Sequence, residues 1–186
     1  MRQLILKPHD VVVALKLCGE TPATYGAVAK SLFLSVSEVH VAVRRCTHAG
    51  LLGRAGDRAP LRTHAPVVGA IKEFVLHGVR YAFPAVRGGV SRGVPTAHAA
   101  PPLAAKLADP GQDPPPVWPD PRGTVRGLAL CPLYPGAPAA AAEDARLYAL
   151  LVLIDALRIG RAREREIARG ILADLLGARG RTAAPA

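Results

Sequence analysis

The chain has 186 residues and a mass of 19.4 kDa, enough for one domain or two small ones. Half of it is hydrophobic, but its longest unbroken apolar run, Leu147 to Ile154, is eight residues, well short of the about 20 that a membrane-spanning helix needs. Lys and Arg number 24 against 14 Asp and Glu, a net charge of +10 and a pI near 10.3, which points to an anionic partner.

That charge is unevenly placed. Residues 1–100 hold 13 basic and 5 acidic side chains, residues 101–186 hold 11 and 9, and all six His lie in the first hundred. A basic N-terminal half beside a nearly balanced C-terminal half reads as a polyanion-binding module joined to something else. Residues 1–10 carry no long apolar stretch and no small-residue cleavage site, so no secretory signal is expected. Cys18, Cys46 and Cys131 are odd in number and widely spaced, which fits neither a disulfide framework nor a metal knuckle. A reducing, cytoplasmic setting is expected, with no metal and no cofactor.

The first helix is expected from Pro8, suited to a first turn, to Leu17, with Val11, Leu15 and Cys18 on one face and Gly19 after it. A second should run from Tyr25 to Leu32 under a Thr24 N-cap, burying Val28, Ala29 and Leu32. Ser35-Val36-Ser37-Glu38 is a capping box, because hydroxyl and carboxylate can each accept the other residue's amide. The helix it opens should reach Ala49 and stop at Gly50, with Val36, Val39, Val43 and Cys46 inward. Ser37, His40, Val41, Arg44, Arg45, Thr47 and His48 then face outward. Residues 50–62 read as a short hairpin turning at Ala55-Gly56-Asp57 and lined by Arg54, Arg58 and Arg62.

Two short helices, a three-residue turn, a better-capped third helix with a basic face and an Arg-bearing hairpin form one ordered set. It resembles the winged helix-turn-helix of MarR-like bacterial transcriptional regulators over residues 7–63. The matching words are Tyr25-Gly26-Ala27-Val28-Ala29, Leu34-Ser35-Val36-Ser37-Glu38-Val39 and Ala49-Gly50-Leu51-Leu52. The resemblance implies that helix 35–49 enters a major groove. Ser35, Ser37, His40 and Val41 would approach base edges, and Arg44 and Arg45 would reach bases or phosphates, with His48 on the same basic face. Arg54 and Arg58 would sit over the minor groove or backbone. Guanidinium forks suit guanine and phosphate, and a valine suits a thymine methyl.

Val67, Ile71, Phe74 and Val75 define one more helical face, which His77-Gly78 should close. Thirteen of the 18 prolines then fall between Pro84 and Pro138, which excludes long helices there. Residues 80–96 are aromatic, basic and glycine-rich together. They fit an anion- or peptide-binding loop, a single-strand nucleic-acid platform through Tyr81 and Phe83, or an extended segment wrapped on the core. Trp118, among prolines but followed by apolar sequence, is expected to be buried.

Two C-terminal helices are expected, from Asp144 to Ile159 and from Arg161 to Leu176, with Gly160 between them. Asp155 and Arg158 are placed to pair on the first helix or across a subunit boundary. Paired catalytic carboxylates, a nucleophile triad and a nucleotide-binding loop are absent as patterns, so no enzyme is expected.

The expected fold is mainly α with a small β wing. It comprises a winged helix-turn-helix with its connecting helix (1–78), a Pro/Gly-rich extended segment (79–140) and a C-terminal helical hairpin (141–180) able to dimerise. The expected function is sequence-specific binding of double-stranded DNA by a homodimeric transcriptional repressor. The alternative is an antitoxin-like module that docks a second protein through residues 79–180.

Overall fold

The structure, a computed structural model, describes residues 4–19, 24–53, 60–107 and 114–177. It is mainly helical with one small three-stranded sheet. Two compact units divide it, residues 1–74 with 176–186, and residues 75–175. The proline-rich segment and the C-terminal helices, separated by sequence at residue 140, belong to one unit. No single helix among the described residues is long and apolar enough to cross a membrane.

In the first unit, α1 (Pro8–Leu17), α2 (Tyr25–Leu32) and α3 (Val36–His48) pack on one another, and α4 (Val68–Glu73) adds Ile71 to their core. The backbone N–H of Lys7 donates to Asp10 Oδ2 at 2.7 Å, closing the first turn of α1. Thr24 Oγ1 accepts the Ala27 amide at 3.1 Å, so the cap legible in sequence starts α2. The inner face of α3 is Val39, Ala42, Val43 and Cys46. Val36, expected inward, is exposed, because as the first helical residue it stands beyond the span that this face covers. The segment expected to close at Gly78 instead passes from α4 into a π-helical turn, Phe74–Gly78, and α5 (Val79–Ala82).

The second unit is built around β1 (Arg87–Pro95), β2 (Pro116–Pro119) and β3 (Val125–Leu130), with α6 (Ala137–Glu143), α7 (Ala145–Ile159) and α8 (Ala162–Gly177). β1 runs antiparallel to both other strands and β2 parallel to β3, so the sheet closes on itself. Closure this tight needs glycine. A Cβ on Gly93 would strike the Trp118 carbonyl, and one on Gly127 the Pro115 carbonyl.

One carboxylate organises this unit. Asp155, in the apolar stretch of α7, accepts Trp118 Nε1–H at 2.6 Å and Thr96 Oγ1–H at 2.8 Å on Oδ2, and Arg158 Nη1–H at 2.6 Å on Oδ1. Arg158 also donates through Nε to the Phe83 carbonyl at 2.9 Å. The Asp155–Arg158 pair therefore lies on its own helix and ties α7 to β2 and to the chain before β1. Trp118 is fully buried, as its apolar surroundings in sequence imply.

Candidate nucleic-acid interface

The axes of α2 and α3 differ by 104° across a three-residue connection. Phe33 begins that connection in the left-handed conformation, φ 53°, which reverses the chain at once. Ser35 then caps α3. Its hydroxyl accepts the Glu38 amide at 3.2 Å and donates to Glu38 Oε2 at 2.7 Å, while the Ser35 amide donates to the same oxygen at 2.8 Å. These bonds hold the Glu38 carboxyl below its ordinary range. Ser35, expected at a base edge, is thus occupied as a cap, and its hydroxyl proton is already given to Glu38.

At about 100° per residue, Ser37, His40, Val41, Arg44 and His48 fall on one stripe of α3. All five are exposed. The His40 ring stacks on Tyr25 of α2, with centroids 3.6 Å apart and planes 17° from parallel. Tyr25 was expected only as the start of α2. Nothing in its local sequence marks the stack, because the partner lies 15 positions away on another helix.

Arg45 requires a correction. It was expected on the outer face beside Arg44, but it is only 8% exposed. Its Nε donates to Asp10 Oδ2 at 2.5 Å and its Nη2 to Asp10 Oδ1 at 2.6 Å, a two-pronged ion pair between α3 and α1. Nη2 also meets His9 Nε2 at 3.0 Å. The residue sits about 80° around the helix from the centre of the exposed stripe, far enough for Asp10 to draw it inward. The outer face keeps one guanidinium, Arg44.

Arg54, Arg58 and the expected turn 55–57 lie outside the described residues. The base of that excursion is visible. Gly53 donates to the Ala65 carbonyl at 2.7 Å, Val67 to the Leu51 carbonyl at 3.0 Å, and Leu52 bridges Pro66 antiparallel. The returning arm is therefore 65–67, later than the hairpin expected within 50–62, and residues 61–63 are a 3₁₀ turn. His64, buried just before that arm, has Nδ1 3.5 Å from Thr47 Oγ1.

Two histidines give this unit a pH dependence. Burial lowers the pKa of His9, Asp10 opposing and Arg45 reinforcing the shift, and burial likewise lowers that of His64. An imidazole that takes its proton less readily when folded contributes stability fully above its ordinary value of 6.5, and that contribution is lost as pH falls. The urea midpoint of α1–α3, followed by amide exchange, should drop between about pH 7.5 and 5.5. In a His9→Gln, His64→Gln protein the drop should shrink. An equal drop would place its origin in other groups.

The described residues contain no group of three or more His, Cys, Asp or Glu placed to hold a metal ion. Cys18 and Cys46 are buried and Cys131 is exposed, and no two of them are joined in a disulfide among the described residues. No family model, curated protein or solved structure matches the chain.

Proposed function

We propose that this chain is a winged helix-turn-helix protein that binds double-stranded DNA sequence-specifically through α3 and acts as a homodimeric transcriptional repressor in the cytoplasm. The observation that carries this reading is the exposed stripe of α3 on a helix pair bent by 104° over a three-residue turn. Helix-turn-helix motifs join their helices at about 90–120° by turns of this length and set the second helix in the major groove. The stripe offers groups suited to a groove: a guanidinium, two imidazoles, a hydroxyl and an isopropyl group. Arg44 is the strongest donor among them, able to fork onto guanine or a phosphate. A homodimer matches the two-fold symmetry of ordinary operators.

Genomic fragments retained by the full chain, sequenced and returned to gel shifts, test this directly. Arg44→Ala should weaken the retained site about 10- to 100-fold, and Arg44→Glu should abolish binding without loss of helix. No enriched fragment, or wild-type shifts from Arg44→Glu, would count against it. Sedimentation should give twice the chain mass.

The alternative, a protein docked through residues 79–180, draws on a different observation. Tyr81, Val86 and Val90, within one stretch of ten residues, are 75%, 66% and 57% exposed. It requires a stoichiometric complex with the product of a neighbouring reading frame, lost in Val90→Asp.

A further inference from the structure

We propose, on the premise that α3 binds duplex DNA, that the outer face of the β1–β3 ladder is a second phosphate-binding surface of this protein, centred on Arg92 and Arg126. These two residues are direct cross-strand partners in the antiparallel register, so both side chains leave the same face of the sheet. Both are exposed, and among the described residues neither guanidinium has a hydrogen bond or an ion pair.

Like charges directly opposite on a ladder oppose the pairing that holds them. Here the ladder has no freedom to relieve them. One residue further along, Gly93 pairs with both Pro119 and Val125, the point where all three strands meet. The Arg92 carbonyl accepts the Asp120 amide at 3.2 Å. The residue this bond ties to Arg92, Asp120, has its carboxylate engaged by Arg122. It accepts Arg122 Nε at 3.2 Å, Nη2 at 3.0 Å and the Arg122 amide at 2.8 Å. Among the described residues Arg92 and Arg126 thus have no carboxylate partner, and Asp120 is already in use. The buried strand junction fixes the backbone from which both side chains leave, and an anion placed between Arg92 and Arg126 turns a repulsion into two attractions. The planar fork of arginine matches phosphate oxygens. Duplex DNA supplies such oxygens in a row.

The test measures anisotropy of a labelled duplex of arbitrary sequence with the full chain, from about 50 to 200 mM KCl. In the Arg92→Gln, Arg126→Gln protein the slope of log affinity on log salt should fall by about 2, one for each phosphate contact. Its melting temperature should equal or exceed the wild-type value, because a like-charge pair has been removed. A wild-type slope overturns the surface. So does unchanged DNA binding with lost binding to polyglutamate or to anionic phospholipid vesicles, which would assign the arginines to another anion. Arg44→Glu separates the premise. If that variant binds as wild type while the double variant does not, the α3 reading fails and the sheet surface stands. Absence of wild-type binding at the lowest salt overturns both.

Discussion

Asp155→Ala should destabilise the second unit by about 4 kcal/mol or more. The carboxylate is 1% exposed and serves three donors at once. Its removal leaves the Arg158 guanidinium without a counter-ion, held only by backbone carbonyls, and the Trp118 indole N–H and the Thr96 hydroxyl without their acceptor. Those donors sit on β2, on the chain after β1 and on α7, so one truncation unties three elements. A small domain has only about 5–15 kcal/mol in hand, and most of that reserve would be gone. Trp118 is the only tryptophan of the chain, so its fluorescence reports this unit alone. Asp155→Asn, which keeps one acceptor oxygen but loses the charge, should fall between wild type and Ala. Wild-type tryptophan unfolding in Asp155→Ala would show that the network contributes little.

Asp10→Ala is expected to cost the first unit about 3–5 kcal/mol, the usual penalty for stripping one partner from a buried ion pair. Arg45 would stay in place between α1 and α3 with His9 as its remaining polar neighbour. Amide exchange in α1 and α3 should rise steeply while the Trp118 signal stays as in wild type. Asp10→Leu combined with Arg45→Met should recover much of the loss, because two packed apolar side chains can replace a buried pair. If the double variant were as unstable as the single one, the pair would carry more than its charge. Arg45→Ala consequently belongs among folding variants, and its loss of DNA binding would say nothing about contact with a base.

Much of the local structure was legible. Thr24 and Ser35 were readable as caps because capping is a matter of a few bonds within four residues. The bounds of α2 follow from its cap and its apolar spacing, and those of α7 and α8 from their apolar spacing and Gly160. The strands were not readable in the same way. β1 is Arg-Gly-Gly-Val-Ser-Arg-Gly-Val-Pro, with glycine where alternation would call for a side chain. Gly93 serves close backbone approach to β2, a need that exists only once the two strands are adjacent. The proline content correctly excluded long helices without showing what replaced them.

The candidate site divides along the same line. Ser37, His40, Val41, Arg44 and His48 share a helical stripe, which spacing alone predicts. Arg45 is the instructive exception, because position on the wheel leaves it at the border and the decision belongs to Asp10, 35 residues earlier. The stack of His40 on Tyr25 has the same origin.

Sequence by itself determined where α1, α2, α3, α7 and α8 begin and end to within a residue or two, most of their apolar faces, and that the excess positive charge gathers in the first hundred residues. These are short-range properties, set by bonds and spacings inside a single turn or helix. Tertiary structure decided which arginine is buried and which is free, which strands meet, and that lone carboxylates at 10 and 155 are the ties of two units. Those outcomes depend on partners tens of residues apart, where desolvation makes an unpaired charge costly and packing alone brings its counterpart within reach.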